Sequence, residues 1–189
     1  MTVFAENLIG AFESQKHLLS GAESDAVANM RSQSLDTAAR LGLPSFRDEH
    51  WKYTSVSSLG ERTFSIPEPS KTTGNIPRDI KEINEQAPPF AETRLVFIDG
   101  NLVENLSKVD ALTDGISVKR ISKLLSDNDS IVTSSLNNES LKNSVFAQIN
   151  TSFLQDGAII EVDAGTSAGS IEVVFAGSGI YQLTCPRLI

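Results

Sequence analysis

Phe146-Ala147-Gln148-Ile149-Asn150-Thr151-Ser152-Phe153-Leu154-Gln155-Asp156-Gly157 is where the chain changes its hydrophobic period, and the fold class turns on it. Leu141, Val145, Ile149 and Phe153 lie four residues apart, and Phe146 and Leu154 widen the stripe, so a helix with one apolar face is expected. Gly157 ends it. Beyond it, residues 158–162, 171–175 and 180–183 are short strand candidates divided by Gly, Ser, Thr and Ala. Their starts recur at roughly ten-residue intervals, which suits a β-meander, a sandwich edge or the rungs of a solenoid without choosing among them. Gly165, Gly169, Gly177 and Gly179 read as turn residues. A phosphate cradle would need a following helix whose amides face the anion.

Working back toward the N-terminus, Arg94-Leu95-Val96-Phe97-Ile98-Asp99 reads as a buried strand. Asp99-Gly100 is a tight-turn dipeptide, and Asn101-Leu102-Val103 returns as the second arm of a hairpin. Ile116-Ser117-Val118 is a further strand, residues 121–125 a helix, and the polar stretch 126–130 a loop. From Glu61 to Pro89, five prolines stand among Ser, Thr and Gly, which marks an extended connection with a short helix at 78–86. Residues 3–19 carry Phe4, Leu8, Ile9 and Phe12 at helical spacing. A second helix opens at Ser24, whose side chain can accept from a free first-turn amide, and closes at Gly42 before Pro44. Val27, Met30, Ala38 and Leu41 form its expected buried stripe.

The chain has 189 residues, 40% hydrophobic and 21% charged, enough to bury the core of one domain or slightly more. A net charge of -8 argues against a general nucleic-acid binder, which needs a basic face, and against adsorption to an anionic membrane. The longest aliphatic runs are too short to span a bilayer. No basic and apolar leader opens the chain, so the cytoplasm is the default compartment. The single cysteine, Cys185, excludes an internal disulfide and an all-cysteine metal site within one chain.

Candidate chemistry concentrates in Arg47-Asp48-Glu49-His50-Trp51-Lys52-Tyr53-Thr54. His50 beside Asp48 and Glu49 supplies the residue types of an acid–base or metal site, and hence of a small hydrolase. Sequence neighbours point in different directions, so a structural reading is preferred. In it Trp51 and Tyr53 anchor a loop onto the helices, while Arg47 and Glu49 form hydrogen bonds. His17 suits the negative end of a helix dipole, and Cys185 suits a small buried apolar group. No nucleotide-binding, nucleophile-elbow or zinc-protease signature is present. No residue is assigned a catalytic, cofactor-binding or metal-binding role.

The same cluster carries a resemblance. Arg47-x-Glu49-x-Trp51-Lys52-Tyr53-Thr54, following Leu41-Gly42-Leu43-Pro44, resembles the N-terminal portion of the SufD branch of the SufB/SufD family of iron–sulfur cluster assembly proteins. Three segments agree with it in order: residues 96–101, residues 146–157, and Cys185-Pro186-Arg187-Leu188-Ile189. The resemblance implies an α+β chain with four parts. These are an N-terminal helical region with the tryptophan loop over 1–60, a Pro-rich connection over 61–90, a mixed α/β segment over 91–157, and the first strands of a right-handed parallel β-helix over 158–189.

It further implies a non-catalytic scaffold fragment of the SUF system, associating with SufB and SufC. The family's interface residues lie downstream, so none is carried onto this chain, and no match for a flavin site is present. An iron–sulfur cluster usually takes about four thiolates, which one cysteine cannot supply, so no cofactor is expected. The strands near the last residues are expected to present an open edge that a second copy can cover. The competing expectation is an unrelated protein-binding module without catalytic activity.

Overall fold

The computed structural model describes residues 2–67, 84–85, 88–109, 112–136, 141–177 and 182–189. Helix α1 (Val3–Gln15) begins where Thr2 Oγ1 accepts from the Ala5 amide at 3.3 Å, and it buries Phe4, Ala5, Leu8 and Phe12. The expected helix over 3–19 is shorter: after Gln15 the chain tightens into a 3-10 turn, Lys16–Leu18. Helix α2 (Asp25–Leu41) has the expected ends. Ser24 Oγ accepts from the Val27 amide at 3.4 Å, and Gly42, at φ 68°, donates to Ala38 O at 3.0 Å. Its buried stripe is Val27, Arg31, Ser34, Leu35 and Ala38; Met30 is only half-buried and Leu41 is exposed. The helix is rotated so that an arginine, not Met30, points inward.

Among the described residues six strands form two three-stranded sheets. Strand β1 (Thr93–Ile98) pairs antiparallel with β2 (Asn101–Leu102), as expected, through Asp99 at φ 50° and Gly100 at φ 81°. Both signs are those of a type I′ hairpin turn. Strand β3 (Ile116–Arg120) leads directly into α3 (Ile121–Ser126). The loop expected at 126–130 is shorter: only residues 127–129 connect α3 to a helix not expected from the sequence, α4 (Ser130–Leu136). Helix α5 (Val145–Ser152) starts at the Ser144 cap, so Leu141 lies ahead of it. Strands β4 (Gly157–Val162), β5 (Ile171–Ala176) and β6 (Arg187–Leu188) complete the chain.

Strand β4 is antiparallel to β3 and parallel to β6, while β5 is parallel to β1. The third strand candidate, 180–183, is only partly described. Residues 180–181 lie outside the described residues, Gln182 makes one parallel bridge with Ser65, and the ladder forms at Arg187–Leu188. From β4 the chain thus runs through β5 and Gln182 and returns beside β4, with Gly157 opposite Arg187 thirty residues on. Each leg of this turn has a parallel neighbour. The class is mixed α and β, with helices at the N-terminus and small mixed sheets. The helix expected at 78–86 falls, apart from 84–85, outside the described residues.

Two apolar clusters pack the helices, the first against one another and the second also against β4. Phe4, Leu8 and Phe12 of α1 meet Leu35, Ala38, Val145, Ile149 and Phe153, with Phe12 and Phe153 edge to face at 5.6 Å. Val27 meets Ile121, Leu125, Val132, Leu136, Leu154 and Ile159. Between the two clusters lies Arg31, only 2% exposed. Its Nη2 donates to Ser20 O and Leu154 O, both at 2.7 Å, and burial lowers its pKa to about 10. Replacing Arg31 with alanine leaves two inward carbonyls without donors, while relief of the buried charge offsets part of the loss. The expected net cost is about 2 kcal/mol, read from the urea midpoint at constant slope.

Candidate functional site

The junction between α5 and β4 is densely hydrogen-bonded. Phe153 closes α5 by donating to Ile149 O at 3.0 Å, and the next three residues, Leu154, Gln155 and Asp156, are buried. Two of them are polar and need partners inside. Gln155 Nε2 donates to Pro67 O at 3.0 Å. Asp156 Oδ1 accepts from the Ser122 amide at 3.0 Å and from the Gly157 amide at 2.8 Å. Its Oδ2 accepts from the Leu102 amide at 2.9 Å and from Arg120 Nε and Nη2 at 2.8 and 2.7 Å.

These donors have a common origin. Ser122 is in the first turn of α3, where amides lack partners within the helix, and Leu102 ends the short β2. One carboxylate therefore ties the hairpin, the start of α3 and the start of β4 to the end of β3. Burial pulls the Arg120 guanidinium down. Its bonds to Asp156 and to Glu104, the latter at 3.0 Å, outweigh that, and its pKa is raised.

The return strand is clasped at the same place. Arg187 donates its amide to Asp156 O at 3.3 Å, Ile189 donates to Ala158 O at 3.0 Å, and Ile160 donates to Ile189 O at 2.8 Å. Asn150 of α5 binds from both sides: its Nδ2 donates to Pro186 O at 3.0 Å, and its Oδ1 accepts from Arg187 Nη1 at 3.0 Å. Helix α5, β4 and β6 are thereby one unit. Apart from Gln155 Oε1, which is buried without a hydrogen-bond partner, the side-chain polar groups named in this junction bond to the fold itself, and what they hold is position.

The residues singled out for chemistry lie elsewhere. Asp48, Glu49 and His50 are all exposed on a 3-10 turn, Glu49–Trp51. Asp48 Oδ2 accepts from the Ser45 amide at 2.7 Å and from Ser45 Oγ at 3.2 Å, which closes the loop on itself. Among the described residues no group of three or more His, Cys, Asp and Glu could hold a metal ion. The anchoring role expected of this loop is met by Trp51 alone, whose ring lies 5.1 Å from Phe146 of α5. Tyr53 is a correction: it is 91% exposed and anchors nothing, because the chain turns away after the 3-10 turn. His17 sits in the 3-10 turn that follows α1, exposed, and Gly165 and Gly169 take left-handed φ between β4 and β5, as turn residues do. Gly179 lies outside the described residues.

Cys185 is 3% exposed, with Sγ 4.0 Å from Ile149 O, and burial pushes its thiol up to about 12. A nucleophile needs the thiolate, so this sulfur is inert while the fold is closed. At about pH 8 its thiolate fraction is roughly a thousandfold below that of an ordinary thiol. A disulfide reagent is expected to label it only on unfolding, and fast labelling of the native chain would contradict this. The raised pKa also sets a sign. The folded state holds the proton, so its stability is intact below the unfolded value of 9.0 and falls as pH rises toward 12. Relative to Cys185→Ala, the chain is expected to lose about 1 kcal/mol between about pH 8 and about pH 10, in urea titrations.

The sequence reading missed Arg31, Arg120 and the hub role of Asp156. The available signals were weak ones: a charge inside an apolar stripe, and an Asp-Gly pair at a change of period. Among the described residues no helix is long and apolar enough to cross a membrane.

With the geometry in view, the comparisons are specific. Residues 3–171 match the family model for the SufBD protein N-terminal region. An iron-sulfur cluster assembly SufBD family protein of Synechocystis sp. is 27% identical over 157 residues, 82% of this chain and 33% of that relative. The chain thus spans a third of the length of the curated relative it matches. The match sets aside an unrelated binding module. Running from the first residue of α1 to the first residue of β5, and so taking in Asp156 and the residues that bond its carboxylate, it makes this chain a member of the SufB/SufD family.

Proposed function

We propose that the chain is the N-terminal part of a non-catalytic scaffold for iron–sulfur cluster assembly, working in the cytoplasm by docking to SufB and SufC. The observation that carries this reading is the turn from β4 through β5 and Gln182 to β6, whose three legs all have parallel neighbours. Parallel strands joined by a crossover wind right-handed in about 98% of cases. We read this turn as the first coil of a right-handed parallel β-helix, occupying 158–189, with 1–60, 61–90 and 91–157 as the helical region, connection and mixed segment before it. The cluster is cargo on this account. A cluster usually takes about four thiolates, and Cys185, the one cysteine, is buried and held protonated.

Co-expression of the whole gene product with SufB and SufC tests the reading. A stable complex in size-exclusion chromatography is expected, and failure to associate with either protein would contradict it. Among the described strands, β5 pairs on one side only, with β1. Such an edge can take a strand from a second copy. Solution scattering of the 189-residue chain is therefore expected to show self-association at high concentration, and a monodisperse monomer counts against edge pairing.

A further inference from the structure

A groove of about 590 Å³ runs between α2 and α5, away from the Asp156 junction and from the edge of β5. Its floor holds the buried hydroxyls Ser34 and Thr151, and its wall along α2 extends from Ala26 to Arg40, about 21 Å of helix. Three of its lining residues are basic, Arg40, Lys142 and Arg187, and among the described residues that line it none is acidic. In a chain of net charge -8 this is a reversal of the average.

Two of these cations lack an ionic partner. Among the described residues neither Arg40 nor Arg187 is in an ion pair. Arg187 is half-buried beside β4, its side chain bonded among the described residues to the neutral Asn150, and burial lowers its pKa. A guanidinium withdrawn from water without a counter-charge is costly, and an incoming carboxylate restores what it lacks, in a geometry suited to two parallel bonds. Gln33 faces the same groove, and Gln148, whose Nε2 already donates to Leu141 O at 3.3 Å and Lys142 O at 3.5 Å, offers its Oε1 there; both side chains can bond a peptide backbone.

The geometry points to a docking groove for an acidic peptide segment of a partner protein, its carboxylates at Arg40 and Arg187 and its backbone along Gln33 and Gln148. This goes beyond the scaffold reading and does not depend on association with SufB or SufC. A length near 21 Å and paired amides favour a peptide over a single small anion.

The test is a titration of the isotope-labelled 189-residue chain, followed by amide chemical shifts, with acetylated hexaglutamate, hexaglutamine and inorganic phosphate as probes. Hexaglutamate is expected to give saturable shifts at Gln33, Thr37, Arg40 and Gln148, weakened by salt and weakened at least tenfold in the double variant Arg40→Glu/Lys142→Glu. Both positions are exposed, and should the variant's spectrum depart from that of the folded chain, the exposed Gln33→Glu takes its place. Absent or scattered shifts, equal binding of hexaglutamine, or indifference to charge reversal would overturn the proposal. Phosphate binding as tightly at the same residues would also overturn it, in favour of a small-anion site.

Discussion

Replacing Asp156 with alanine is expected to cost about 4 kcal/mol. The carboxylate is fully buried and serves three backbone amides and one guanidinium. Alanine leaves the amides of Leu102, Ser122 and Gly157 facing a space without an acceptor. Arg120 fares better, because it is a third exposed and keeps Glu104. The orphaned amides therefore decide the magnitude. For a domain of this size the loss lowers the melting temperature by about 10 °C. Asp156→Asn keeps one acceptor oxygen and is expected to lose about half as much. Thermal and urea unfolding of the two variants checks the order, and an alanine variant within about 1 kcal/mol of the parent would refute the hub.

Gly157→Ala is expected to cost about 3 kcal/mol, for reasons of space. A Cβ at this position would collide with the carbonyl oxygen of Arg187, with its amide nitrogen at 2.9 Å, and with Ile121 Cδ1 at 2.8 Å. Two of those atoms are backbone and cannot swing aside. The added methyl therefore pushes β6 off β4 at the one place where the chain closes its turn. Amide exchange separates this from a general loss of stability. The Ile160 and Ile189 amides, which donate across the β4–β6 pair, are expected to lose protection first, while the α1–α2 pair keeps its own. Uniform loss of protection would show that the closure is not local.

What the sequence made legible was local chemistry. Ser24 and Gly42 bound α2 because a cap hydroxyl and a left-handed residue act on the backbone beside them. Asp99-Gly100 turns β1 into β2 for the same reason. Elements that depend on distant partners were not legible. Helix α4 is short and rich in serine and β-branched residues, and it is held by burying Val132 and Leu136 against Val27 and Leu125. Strand β6 is only Arg187–Leu188, with no apolar alternation of its own, and it forms because backbone pairing with β4 fixes it.

The site divides in the same way. The Arg47–Thr54 cluster drew attention by its density of polar and aromatic types, and Trp51 does anchor it on Phe146. Density did not reveal that His50 and Tyr53 face solvent. Asp156 is an ordinary residue in the sequence. Its role follows from four elements that converge on it from positions 102, 120, 122 and 157. Arg31 is hidden similarly, since its acceptors, Ser20 and Leu154, are far apart in the chain.

Amide exchange across β5, compared between the 189-residue chain and the whole gene product, tests the coil reading most directly. If β4, β5 and β6 open a stack of coils, the β5 amides that face away from β1 exchange freely in the shorter chain and become protected in the longer one. Equal, rapid exchange in both would mean that nothing stacks on this turn, and the scaffold account would lose its structural basis.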